Sequence, residues 1–189
     1  IDKWERWQLD IVEEVKKVDY AFLDASFFKD GELDRDMSRI PHPFTTETTT
    51  LFENETIEIE GIKIFGSPHT PQFGQWAFMK ARHKLDRIWQ SAIEDGTHII
   101  VVHGPPKGML DLSYDRNGKL EFCGCKSLMN KVKEVEPKLM LFGHIHNCDD
   151  IINAGTRTMP GLDTIFSNGS VVTDGKFGKL SSNGNIFKL

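Results

Sequence analysis

The sequence predicts an α/β layered domain, and three observations carry that prediction. Two short apolar runs, His98-Ile99-Ile100-Val101-Val102 and Leu139-Met140-Leu141-Phe142, have the length and continuity of buried strands. Between them Leu128, Val132 and Val135 recur at helical spacing, which sets strand, helix and strand in the order of a layered α/β unit. Each run then delivers a loop bearing glycine and histidine, His103-Gly104-Pro105-Pro106 after the first and Gly143-His144-Ile145-His146 after the second.

Taken from the start, Trp4, Trp7, Ile11, Val15 and Val18 fall three or four apart among Glu and Lys, which predicts an amphipathic helix. Tyr20-Ala21-Phe22-Leu23 is a strand-length apolar run that ends at Asp24. From Phe27 to Thr50 periodicity disappears, and Gly31, Pro41-His42-Pro43 and a threonine-rich run predict a long surface loop. Alternation returns in Ile57-Glu58-Ile59 and Ile62-Lys63-Ile64, and its change of parity across Glu60-Gly61 predicts a two-residue hairpin turn. A loop containing Pro and Gly is predicted from Ser67 to Gly74. Leu85, Ile88, Trp89, Ala92 and Ile93 mark one face of a helix that ends at Gly96. Pro137 breaks the helix marked by Leu128 to Val135, and the tail from Thr164 reads as short strands joined at Asp174-Gly175 and Asn183-Gly184.

Composition narrows the function classes. With 189 residues, a net charge of -5 and 39% hydrophobic residues, the chain has room for one domain, or one and part of another. Mild acidity argues against a broad nucleic-acid surface, and no apolar run reaches the roughly 18 residues of a membrane span. No charged-then-apolar secretory leader is visible, so the chain reads as cytoplasmic, and Ile1 in place of Met reads as a processed or truncated start. Cys123, Cys125 and Cys148 make an odd set that reads as reduced thiols near a helix start rather than a disulfide framework. Cys123-Gly124-Cys125 is also too closely spaced for a zinc knuckle.

The chemistry gathers at the two strand ends. Ligands of α/β sheets collect outside the carboxyl ends of the strands, where a histidine reaches the crevice while the sheet holds its backbone. Gly104 and Gly143 remove side-chain bulk beside the histidines, which would let backbone approach an ion or anion. With one residue between them, His144 and His146 point to the same side in extended geometry, and so suit one ion or two adjacent ions. The other histidines carry plainer expectations: His42 in a proline-flanked loop, His69 at the surface or else facing the site, His83 on a helix surface and His98 at a strand edge. Lys107, a lone lysine in a glycine-containing loop, is a candidate contact for a substrate phosphate.

These motifs carry a resemblance. Gly66-Ser67-Pro68, Phe73-Gly74-Gln75-Trp76-Ala77-Phe78, His103-Gly104-Pro105-Pro106-Lys107-Gly108 and Gly143-His144-Ile145-His146 resemble the calcineurin-like metallophosphoesterases, in particular a compact single-domain branch. The resemblance implies an α/β fold that is the C-terminal half of a four-layer αββα sandwich with a mixed sheet, over about residues 53–189. It implies that His103 and His144 bind one divalent metal and His146 its neighbour; Mn, Fe or Zn would suit imidazole and carboxylate ligands. It further implies hydrolysis of a small phosphate ester, in the first place a phosphodiester, by a hydroxide held between two metals about 3.5–4 Å apart.

The family's earlier ligands come from Asp-x-His, Gly-Asp and Gly-Asn-His motifs, none of which occurs before His103. The alternative expectation is therefore a non-catalytic remnant or interaction module that binds at most one metal weakly. Residues 1–52, above all Tyr20 to Phe28 and Ile40-Pro41-His42-Pro43, resemble a late segment of metallo-β-lactamase-fold hydrolases. In that family a strand-end Asp bridges two metals, and Asp24 stands at that place, either as a replacement ligand or as a leftover without a metal. The expected organisation is a metallo-β-lactamase-like segment over 1–52 followed by a phosphoesterase half over 53–189. Exposed sheet faces and strand edges of such a half predict self-association.

Overall fold

The structure, a computed structural model, describes residues 53–74, 78–115, 117–148, 150–173, 179–181 and 184–187, all within one folding unit of the chain. The expected N-terminal helix, strand and long loop lie outside the described residues, as do Asp24, His42 and the whole segment 1–52. Asp174-Gly175 and Asn183 lie outside them too.

Alternating isoleucines build the first hairpin. β1 (Glu55–Ile59) and β2 (Ile62–Ser67) pair antiparallel with Ile59 opposite Ile62. The turn residues Glu60 and Gly61 have φ of 51° and 82°, the two positive values that a tight primed hairpin turn needs. From there the chain makes short β3 (Thr70–Pro71) and β4 (Met79–Lys80), then α1 (Arg82–Ala92) and β5 (Ile99–Val102). A small hairpin follows, β6 (Leu112–Tyr114) and β7 (Leu120–Phe122), and then α2 (Lys126–Val135) and β8 (Leu139–Phe142). The last pair is β9 (Gly155–Met159) and β10 (Leu162–Asn168).

The main sheet has six strands in the order β1-β2-β5-β8-β10-β9. Its centre is parallel, β2 with β5, β5 with β8 and β8 with β10, and both outer strands run antiparallel to their neighbours. The sheet is therefore mixed, and the fold is α/β. Residue alternation explains why the central strands read as continuous apolar runs. Ile100, Val102, Met140, Phe142 and Phe166 face a core that also holds Leu85 and Trp89 of α1 and Leu128 and Val132 of α2. Ile99, Leu139 and Ile64 turn to the other face, with Val101, Leu141 and Ile57 packed against them. In the first core Phe65 meets Trp89 edge to face, with ring centroids 6.4 Å apart. Trp89 donates its indole N–H to the Cys125 Sγ at 3.4 Å.

Several boundaries differ from the sequence expectation, each for a local reason. α1 stops at Ala92, not at Gly96, because Ile93 leaves the helix with extended backbone (φ -86°, ψ 110°) to bury its side chain in the core. Gly96 (φ 74°) instead serves the turn into β5, where the Thr97 N–H and hydroxyl both reach the Glu94 carbonyl. The predicted loop from Ser67 to Gly74 contains β3, paired with β4. β10 begins at Leu162, and it turns back on β9 through Pro160 and Gly161 (φ 81°). The β6–β7 hairpin was not expected, since its strands are short and largely exposed; its turn is held by Asp115, whose Oδ1 accepts the N–H groups of Asn117 and Lys119. α2 ends as expected before Pro137, with Glu136 in the left-handed region (φ 50°, ψ 56°). All three cysteines are free thiols, and Cys125 stands at the position just before α2 with no side-chain capping bond to the helix. Among the described residues no helix is long and apolar enough to cross a membrane.

Candidate functional site

The parallel strands β2, β5, β8 and β10 all end on one edge, and the chain stays tied together just beyond them. The His103 N–H reaches the Ser67 carbonyl at 3.2 Å, the Gly143 N–H reaches the His103 carbonyl at 3.0 Å, and the Gly169 N–H reaches the Phe142 carbonyl at 2.8 Å. These bonds continue the sheet ladder into the histidine loops. They bring the rings of His103 and His144 together, with centroids 4.5 Å apart and planes tilted by 49°. His146 follows on the same loop, half-buried.

The geometry at His144 corrects the extended conformation expected for Gly143-His144-Ile145-His146. The Ile145 N–H closes on the Gly143 carbonyl at 2.8 Å around His144, whose φ is 70°. A three-residue turn with positive φ at its apex is the rare, strained γ-turn. A left-handed residue other than glycine costs on the order of 1 kcal/mol and persists only where surrounding contacts over-determine it. The simple same-side argument for His144 and His146 therefore does not apply, because the chain turns between them.

Buried asparagines supply the over-determination. The Asn168 amide donates to the Ile145 carbonyl at 2.9 Å and to the Leu110 carbonyl at 3.2 Å. The Asn153 amide donates to the His146 carbonyl at 2.8 Å and to the Leu112 carbonyl at 2.9 Å, while its Oδ1 accepts the Leu112 N–H. Both side chains are about 1% exposed. The Asn147 Oδ1 in turn accepts the N–H groups of Asn153 and Ala154 at 2.7 and 2.8 Å. Sequence reasoning missed these residues. No local signal marks them: Asn168 ends the mixed polar and apolar run Leu162-Asp163-Thr164-Ile165-Phe166-Ser167, and Asn153 follows only Ile151-Ile152.

The loop after His103 is held from the other side by Asp111. Its Oδ2 accepts the N–H groups of Gly108 at 3.0 Å and Gly124 at 2.9 Å, and its backbone carbonyl accepts the Cys123 N–H. Asp111 is fully buried, and its Oδ1 has no partner among the described residues. Burial raises its carboxyl pKa, against the lowering effect of the Gly108 and Gly124 amides. Gly124 is required here, since a Cβ would lie 2.7 Å from both the Asp111 Oδ2 and the Pro106 carbonyl. Gly104 also has a role other than the one expected: a Cβ there would collide with the Thr70 hydroxyl, so the glycine lets β3 pack against the histidine loop. Lys107 is exposed, and its backbone N–H reaches the Cys125 carbonyl.

His69 is a second correction. It is 3% exposed rather than a surface residue. Its Nδ1 lies 3.2 Å from the Phe78 carbonyl and its Nε2 3.2 Å from the Asn54 amide nitrogen. Burial first, and then the charge of Lys80, lower its pKa to about 4, with the Phe78 carbonyl opposing. His83 is exposed on α1, as expected. His98, at the start of β5, is half-buried and accepts the Lys63 N–H at its Nδ1.

Among the described residues no three His, Cys, Asp or Glu side chains gather into a group that could hold a metal ion. The neighbouring imidazoles of His103 and His144 make two donors. A dinuclear centre needs several more, and the described residues do not fit one by themselves.

The comparisons with known proteins point the same way as the motifs. The chain is 35% identical over 107 residues to the human protein named metallophosphoesterase domain-containing protein 1, and equally to its mouse counterpart; the match covers 56% of this chain and 32% of each relative. A UPF0046 protein of Caenorhabditis elegans is 28% identical over 109 residues, 58% of this chain and 36% of that one. The Emericella nidulans protein named probable rhamnogalacturonate lyase C is 40% identical over 87 residues, 45% of this chain but 7% of its own length. The chain thus spans about a third of the length of the metallophosphoesterase relatives it matches. A solved structure matches with a TM-score of 0.43 and 15% identity over 64% of this chain and 46% of that one, too slight a likeness to carry fold or function. No family model matches the chain. The likeness is therefore to metallophosphoesterase-type proteins over about half the chain, and nothing in it supports the metallo-β-lactamase resemblance of residues 1–52.

Proposed function

We propose that this chain supplies the histidine-bearing half of a divalent-metal phosphoesterase site acting on small phosphodiesters. The observation that carries the reading is the close pair His103 and His144, with ring centroids 4.5 Å apart at the ends of adjacent parallel strands. The likeness to metallophosphoesterase domain-containing protein 1 supports it. On this reading His103 and His144 share one cation, His146 serves a neighbouring one, and Mn, Fe or Zn is the metal. The remaining donors come from outside the described residues, and the sheet face carrying Ile64, Ile99 and Leu139 meets the second sheet of a four-layer sandwich. The described residues themselves hold two imidazoles in a fixed relation and shape the loops beside them.

The test is calorimetric titration of the chain with Mn and Zn, with hydrolysis of bis-p-nitrophenyl phosphate followed in parallel. His144→Ala weakens metal binding by about tenfold or more and abolishes turnover above blank. Equal metal binding by the wild type and His144→Ala refutes the reading. A second reading rests on the Asp-x-His, Gly-Asp and Gly-Asn-His motifs that do not occur before His103: a non-catalytic module that holds one cation weakly or none. A weak single-site isotherm with no turnover selects it.

A further inference from the structure

We propose that Asn168 is a positioning residue whose side-chain amide holds the strained turn at His144 and thereby sets that imidazole against His103. Both of its N–H groups are spent on carbonyls of different loops, Leu110 in the loop that begins with His103 and Ile145 in the turn that contains His144. One planar amide thus spans the two histidine-bearing loops. Its Oδ1 accepts the Ser170 N–H at 2.9 Å, which fixes which way the amide faces.

The position of the clamp matters. The Ile145 N–H closes the γ-turn on Gly143, and the Ile145 carbonyl is the group that Asn168 holds. With both polar groups of Ile145 engaged, the positive φ of His144 cannot relax without breaking one of them. Asn153 makes a second bridge of this kind, from the Leu112 carbonyl at the start of β6 to the His146 carbonyl. Asn168 lies at the end of β10, on the strand next to β8, so the sheet itself carries the clamp. An Asp at this place has the same shape, but as a carboxylate it has no N–H to give and faces two carbonyl oxygens.

The inference rests on the metal-site reading for its purpose, since it orients a proposed ligand, but its test needs no metal. The readout is the nuclear Overhauser cross-peak between the ring protons of His103 and His144 in the metal-free full chain. Asn168→Asp is compared with Thr164→Val, which removes a buried bond to the Pro137 carbonyl at the opposite end of the same strand. We expect the cross-peak to fall several-fold in Asn168→Asp and to persist in Thr164→Val. A full cross-peak in folded Asn168→Asp, or equal loss in both variants, overturns the proposal. Where Asn168→Asp does not fold, Asn168→Ala removes the same donors without adding charge and is read by the same two outcomes. Failure here leaves the metal titrations standing, and failure of those titrations leaves the ring geometry standing.

Discussion

Burial of His69 makes stability depend on pH in a defined window. The hydrogen-bond network requires the neutral ring. The Ser67 hydroxyl donates to the Asn54 Oδ1 at 2.8 Å, which turns the Asn54 amide nitrogen toward the His69 Nε2 and makes that ring nitrogen an acceptor. The Nδ1–H is then free to donate to the Phe78 carbonyl. Protonation would set a second ring N–H against the Asn54 N–H, in a site where burial and Lys80 already hold the pKa down to about 4 from the ordinary 6.5. The unfolded chain takes up this proton below pH 6.5, whereas the folded chain refuses it until about pH 4. The contribution is therefore fully present above pH 6.5 and is lost progressively as pH falls toward 4. At about 1.4 kcal/mol for each pH step, the whole window is worth about 3 kcal/mol, and about 2 kcal/mol is gone by pH 5. The assay is urea unfolding of the wild type and His69→Gln at intervals from pH 7.5 to 4. The stability difference between the two should shrink by about 2 kcal/mol between pH 7 and pH 5. Parallel pH profiles would show that His69 titrates normally and that the network does not hold the neutral ring.

Two further predictions concern the walls of the histidine loop. Gly104→Ala drives a methyl group into the Thr70 hydroxyl, and overpacking of this kind should lower stability by about 1–3 kcal/mol in denaturant unfolding; Thr70→Ala in the same chain should restore part of it. Asp111 holds its proton more tightly in the folded state than in the unfolded one, so its favourable contribution is present at low pH and lost as pH rises through its elevated pKa. Asp111→Asn removes that loss, and its stability relative to the wild type should rise with pH; a constant offset across the series would refute the buried-acid assignment.

Local pattern made much of this fold legible. The isoleucine alternation on either side of Glu60-Gly61 built the first hairpin in the expected register, because a tight turn with two positive φ values leaves no other pairing. Ile99 to Val102 and Leu139 to Phe142 formed the expected strands because apolar side chains alternate into two cores, one on each sheet face. The β6–β7 hairpin was not legible. Its strands are three residues each and lie largely exposed, so burial imposes no period on them. The helix end at Ala92 escaped as well, since Gly96 is the stronger local signal while the core decides where Ile93 goes.

The sequence by itself determined that His103 and His144 stand just beyond two buried strands, because apolar runs of that length enter a sheet core and their ends leave it on the ligand-binding edge. Only the tertiary structure decided how those histidines meet. The γ-turn at His144 is stabilised by the Asn168 amide, which comes from the end of β10, 23 residues beyond Ile145, and carries no local signature. The burial of His69 depends likewise on Asn54 and Phe78, brought to it by folding. Local periodicity reports which side chains seek the core, but a polar group's environment is set by partners distant in sequence, and those are what place the imidazoles.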